Sequence, residues 1–221
     1  MRRVRVATFN VRHCRGLDDR VDPSRTAAVI EATGASIVAL QELDRSVPRS
    51  GSVDQVSLLE DRLGMQMHFC PTLGIGSGEY GIALAGPSLV AVERERLPGA
   101  ELDPEPRWAV WARSEGTTYL CTHLSTHRGA KRLQLNALAG IARKLSPPLV
   151  VLGDLNQTGR CLGPLRAAGL RGDGRRHLTH SAAWPRHQID WILVRGGRIA
   201  RAWTLATHAS DHRPLAATLE V

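Results

Sequence analysis

Lysine is nearly absent from this chain: Lys131 and Lys144 are the only two among 29 basic residues. The positive charge is therefore arginine scattered along the sequence, and no dense basic block or aromatic-interleaved basic patch stands out. With aromatics at only 4%, the sequence gives no support for a stacking platform that would take single strands. Cys14, Cys70, Cys121 and Cys161 lie too far apart to read as a metal knuckle or a redox pair, so free, mostly buried thiols in a reducing compartment are expected. No apolar run is long enough to span a bilayer, and the opening MRRVRVATFN lacks the apolar core of a signal peptide. Internal repeats and low-complexity tracts are missing as well. These absences leave a soluble, cytoplasmic protein as the expectation.

What is present is an ordinary globular composition. In 221 residues, 43% are hydrophobic and 23% charged, which suits one domain over residues 1–221 with a sizeable core. The net charge of +8 permits a polyanionic partner, nucleic acid or an anionic lipid headgroup, without singling one out.

Local patterns alternate between strand and helix. RVRVATFNV alternates and then turns apolar, which predicts a strand ending near Asn10. VDPSRTAAVIEATGA predicts a helix capped by Asp22, started by Pro23 and stopped at Gly34. ASIVALQELD predicts a buried strand that delivers Gln41 and Glu42. SVDQVSLLEDRLG predicts a helix with a capping box at Ser52 and Gln55 and a stop at Gly64. Weaker strand signals fall at 66–70, 80–85, 88–92 and 107–113. TTYLCTHLST predicts a strand carrying His123, and RGAKRLQLNALAGIARKLSPP a helix ended by Pro147 and Pro148. After a strand at 149–153 comes a short helix in CLGPLRAAGL, then HQIDWILVRGGRIARAWTL as strand, Gly-Gly turn and strand, and RPLAATLEV as the last strand. Hairpin-paired strands mixed with helix-joined strands predict mixed sheets in an α/β sandwich.

Polar groups recur at the ends of these strands. VVLGDLNQT, residues 150–158, runs from an apolar strand into Asp154 and Asn156, a pair that suits a tight turn or a rigidly held site edge. Asn10, Glu42, His123, Asp190, Asp211 and His212 lie in comparable places. Singly, each has an ordinary use as a turn, a solvated strand end, an arginine partner or a satisfied core histidine. Together they require partners or a bound ion, because burying so many polar groups alone is costly.

In order, TFNVR, LQELD, THLS, GDLNQT, QIDWILV and SDHRPL resemble the motifs of the endonuclease/exonuclease/phosphatase superfamily over nearly the whole chain. The resemblance implies a four-layer, DNase I-like α/β sandwich of two packed mixed β-sheets flanked by helices. It also implies Mg²⁺- or Mn²⁺-dependent hydrolysis of phosphate esters. Glu42 would be the main metal ligand, with Asn10 and Asp211 near the metal directly or through water. Asp154 would orient or deprotonate the attacking water, helped by Asn156. His212 would sit on the phosphate, fixed by Asp190, and His123 would be a second phosphate contact or a leaving-group acid.

The chain departs from the family at YGIALAGP, residues 80–87, where many relatives read roughly YGNAILSR. Glu79 is a loose candidate for the acidic partner of His123. His123 and His127 have helical spacing but lack the glutamate of a zinc-protease HExxH pattern. A non-catalytic binding protein on the same fold would be a serious rival if a central carboxylate were missing; none is, and that reading stays as the lesser alternative. Basic charge favours DNA or RNA as the substrate partner; THLS favours a small-molecule or lipid-headgroup ester. Oligomeric state is not legible.

Overall fold

The computed structural model describes all 221 residues. Its eleven strands are β1 (Arg3–Asn10), β2 (Ile37–Arg45), β3 (Met67–Ile75), β4 (Gly78–Ala85), β5 (Val90–Arg96), β6 (Trp108–Ser114), β7 (Thr117–His123), β8 (Leu149–Asp154), β9 (Asp190–Arg195), β10 (Arg198–Thr204) and β11 (Leu215–Glu220). They form one sheet of order β10-β11-β1-β2-β4-β3 and a second of order β5-β6-β7-β8-β9. Two pairs are parallel, β1 with β2 and β7 with β8. Parallel neighbours need a crossover, supplied by α1 (Pro23–Thr33) and α3 (Arg128–Lys144).

Apolar side chains then set the layers. Val6, Ile82, Tyr119, Val150, Leu152 and Leu219 fill the space between the sheets. Phe9, Leu40 and Ile30 join Leu59 of α2 (Gln55–Leu63) on the outer face of the first sheet, while Leu120, Val151, Leu138 and Leu165 of α4 (Gly163–Ala167) cover the second. Two sheets between two helical layers make the four-layer sandwich that the motifs implied. No helix is long and apolar enough to cross a membrane.

Several local expectations change. The cap of α2 is Asp54, whose carboxylate accepts from the Val56 and Ser57 backbone N–H groups. Ser52 lies before the helix at φ +57°, and Gln55 turns inward, accepting from the Asp44 backbone N–H and donating to the His13 carbonyl. A carboxylate adjacent to the helix start outcompetes the more distant hydroxyl. The Gly196–Gly197 turn carries the chain from β9 in one sheet to β10 in the other, so these strands are not a hairpin. Gly197 permits this crossing, since a Cβ there would lie 2.7 Å from the Glu220 carbonyl oxygen. The strand expected at 88–92 runs instead from Val90 to Arg96 as a wholly exposed edge. Its alternating Glu93, Arg94, Glu95 and Arg96 discourage pairing with another sheet. Cys14, Cys70 and Cys121 are buried and free, and Cys161 is free but exposed.

Two backbone irregularities aim the strand ends. In β2 the pairing with β4 shifts between Leu40 and Leu43, and Glu42 takes φ +61°. Val38, Leu40 and Leu43 all face the helical layer, so the extra residue diverts Glu42 from that layer, to which strict alternation would send it. In β8, Gly153 lies so close to β7 that a Cβ would meet the Thr122 carbonyl oxygen at 2.0 Å. Gly153→Ala should cost about 1–3 kcal/mol in urea unfolding, as overpacking typically does; wild-type stability would show that the strands can separate freely.

Candidate active site

Register brings the polar ends together. His123 on β7 pairs with Asp154 on β8, which pairs in turn with Asp190 on β9, so three side chains stand in a row across adjacent strands. In the other sheet Asn10 pairs with Gln41, beside Glu42. The loop from β10 to β11 adds Asp211 and His212, pinned by the Ser210 hydroxyl, which donates to the Asn10 carbonyl at 2.8 Å and accepts from the His212 backbone N–H at 3.1 Å.

The Asp154 carboxylate is the meeting point. Oδ1 accepts from the Asn156 backbone N–H at 2.8 Å. Oδ2 accepts from Asn10 Nδ2 at 3.1 Å and lies 3.6 Å from His123 Nε2 and 3.7 Å from His212 Nε2. Asn10 Nδ2 also donates to Glu42 Oε1 at 2.8 Å, so one amide links the two sheets' carboxylates. His212 Nδ1 lies 2.9 Å from Asp190 Oδ2. Asn156 sits at φ +47°, a conformation asparagine tolerates, and its amide donates to the Leu124 carbonyl and contacts His123 Nε2 at 3.3 Å.

Burial gives these groups unusual proton affinities. Burial and then the Asp190 charge push Asp154 up to about 7, against His212 and the two donors. Burial opposes charge on His212, but Asp190, followed by Asp154 and Asp211, outweighs it and pushes the ring up to about 10. His123 is held well below the ordinary histidine range by burial, then by Arg107 and His212. It is therefore neutral at pH 7. Both amide hydrogens of Asn156 are directed at the Leu124 carbonyl and His123 Nε2, which makes that ring nitrogen an acceptor. Such a ring suits contact better than donation of a proton to a leaving group.

Glu42 is half-buried, and burial followed by Asp211 raises its pKa. Asp154, Asp190 and His212 could themselves hold a cation, since their ligand atoms lie within 4.8 Å of one another. That trio, however, already contains an imidazolium, whose positive charge opposes a cation there. Glu42 lines the recess with only an amide as its direct partner, and its hard oxygens, with those of Asp211, fit Mg²⁺ or Mn²⁺. Asp211 is partly exposed, 3.7 Å from the Arg12 guanidinium.

Glu42, His123, Asp154, Asn156 and His212 line a recess of about 520 Å³, with Asn10, Asp190 and Asp211 behind or beside it. The sequence reading missed Arg107, Tyr80, Glu105, Arg49 and His180, which share that lining. Arg107 is almost wholly buried; Glu105 accepts from its Nη2 at 2.7 Å, while Nη1 has no partner. A basic residue directly before the apolar run WAVWA was the available signal. Lys131 was also missed, and it donates to the Asn156 carbonyl at 2.5 Å. Glu79 is corrected: it is half-exposed and pairs with Arg45 at 3.6 Å, so it is not the partner of His123.

The chain belongs to the endonuclease/exonuclease/phosphatase family, whose model matches residues 7–212, and members of this family are hydrolases acting on phosphate esters. An endonuclease/exonuclease/phosphatase from Beutenbergia cavernae DSM 12333 superposes with a TM-score of 0.84 at 22% identity, over 100% of this chain and 72% of its own. A family protein from Bacteroides thetaiotaomicron gives 0.75 at 18%, over 99% and 97%. The human Nocturnin catalytic domain, solved with a bound sulfate anion, gives 0.72 at 21%, over 99% and 94%. No curated protein matches the sequence significantly.

Asp190→Asn should lower the His212 titration, followed through its ring proton resonances, from about 10 toward the ordinary histidine value, because it removes the carboxylate that most favours the charged ring. An unchanged titration would mean that Asp190 does not hold the charge on His212.

Proposed function

We propose that this protein hydrolyses phosphodiesters, nucleic acid foremost, with Mg²⁺ or Mn²⁺ as cofactor. The observation that carries the reading is the meeting of Asp154, Asn156, His123 and a charged His212 at the wall of one recess, beside the carboxylate of Glu42. Glu42 and Asp211 would hold the cation, with Asn10 reaching it through water, since its Nδ2 already serves two carboxylates. When bound, such a cation polarises a phosphoryl oxygen and neutralises charge on the departing alkoxide.

The chain's own groups supply the rest. Asp154, with a proton affinity near neutrality, takes a proton from the attacking water, a match that favours general-base catalysis. Asn156 and the Asn10 amide fix the carboxylate so that it does not rotate away. His212 keeps its proton and places positive charge against the phosphate oxygens as they gain negative charge. Asp190 holds that ring in place. His123, neutral, contacts the phosphate from the neighbouring strand β7.

Hydrolysis of bis(p-nitrophenyl) phosphate should require Mg²⁺ or Mn²⁺ and fall about 10²–10⁴-fold in Asp154→Ala and His212→Ala. Metal-independent hydrolysis, or full activity in both variants, would overturn the reading. Because the pKa of Glu42 is raised, protons compete with a cation there, and affinity must increase as pH rises. The Mg²⁺-induced rise in Tm should therefore be larger at pH 8 than at pH 5 and be lost in Glu42→Gln; a pH-independent rise would place the cation elsewhere.

A further inference from the structure

A second cavity, of about 800 Å³, adjoins the catalytic recess: Thr158 and Gln188 line it, while Asn156 and Ile189 line the recess. Five exposed arginines surround it, Arg160, Arg166, Arg171, Arg175 and Arg176. They come from the turn after β8, from α4 and from the loop that follows, so they form no block in the sequence. None pairs with a carboxylate. The one acid on this wall, Asp173, is 2.7 Å from His177 Nε2. Arg171 donates to the Arg166 and Leu170 carbonyls, and Arg176 to the Arg186 carbonyl at 3.4 Å. Those bonds orient the guanidinium groups without neutralising them, leaving a concentrated positive field on a concave wall.

His187 of this wall is one foot of the loop 180–187, which is closed by backbone hydrogen bonds between His180 and His187. At its root the His180 ring centroid lies 4.8 Å from that of His212. Further along the loop, Trp184 is 71% exposed, so most of its indole surface is available to a ligand. An exposed aromatic face takes an unpaired base, and guanidinium groups take the phosphates of the same strand.

We propose that the arginine-lined groove and Trp184 bind a single-stranded nucleic acid whose scissile phosphate occupies the neighbouring catalytic recess. The proposal rests on the phosphodiesterase reading and narrows its substrate. Arginines take successive backbone phosphates, and the indole stacks on a base that has no paired neighbour covering its face. Paired, stacked bases in a duplex offer no such face, which is why a single strand is favoured.

Binding of a labelled single-stranded oligonucleotide is measured by fluorescence anisotropy across a salt series, without divalent metal and in an Asp154→Asn background, so that cleavage does not intervene. Each phosphate contact contributes about 0.7 to the slope of log affinity against log salt. Arg160→Ala, Arg175→Ala and Arg176→Ala together should weaken binding and flatten the slope by about 2. Trp184→Ala should weaken it about tenfold with the slope unchanged. With Asp154 restored, the same variants should hydrolyse bis(p-nitrophenyl) phosphate normally with Mg²⁺ or Mn²⁺. The proposal is overturned by wild-type binding in the variants, by tighter binding of a duplex of equal length, or by loss of small-diester hydrolysis in parallel with binding. If no protein hydrolyses the small diester but groove-dependent binding persists, the catalytic reading fails and the groove assignment stands.

Discussion

The buried carboxylate of Asp154 is the contact on which the site depends. Placed in water it would be an ordinary acid; here burial and Asp190 raise its proton affinity to near neutrality. Its oxygens are held by a backbone N–H from its own turn and by an amide from the opposite sheet. His212 lies between Asp154 and Asp190 and stays charged, and the charge of His212 helps to keep His123 neutral. One cationic ring, one neutral ring and one carboxylate poised near neutrality thus arise from a few charges sharing a space that water scarcely enters.

The two sheets exist, from the site's point of view, to bring two strand-end rows face to face. His123, Asp154 and Asp190 are aligned by register alone, so any slip of β7 or β9 against β8 would break the row. Glu42 needs something more, because strict alternation would send position 42 to the helical layer. The bulge at Gln41–Glu42 spends one residue on redirecting it. Ser210 then ties the last loop to the end of β1, so that His212 is fixed to the sheet carrying Asn10 and Glu42 while bonding to Asp190 of the other.

Much of this was legible in the sequence, because strand ends are marked by the change from apolar to polar residues and by ordered motifs. That change marked the strands and the mixed-sheet α/β sandwich, while the four-layer arrangement and the gathering of Asn10, Glu42, His123, Asp154, Asn156, Asp190 and His212 came from the resemblance that the ordered motifs carry. Long-range partners were not legible. Ser52 looked like a cap because spacing cannot show that Asp54 is nearer the helix start, and Glu79 looked available because nothing in the sequence places Arg45 beside it. Arg107 and Lys131 act through tertiary contacts that no local period encodes. The arginine groove was invisible for the same reason: its five cations are spread over residues 160–176, only Arg175 and Arg176 being adjacent, and they line one cavity only when the 171–188 segment folds back against β9.

The division of labour between a neutral-range base and a charged histidine is tested most directly by the pH dependence of kcat/KM for a small phosphodiester at saturating Mg²⁺. A bell is expected, with an acid limb no higher than about 7 set by Asp154 and an alkaline limb near 10 set by His212. A rate that climbs steadily with hydroxide through pH 10 and beyond would contradict it, because neither group would then be carrying the proton states assigned to it.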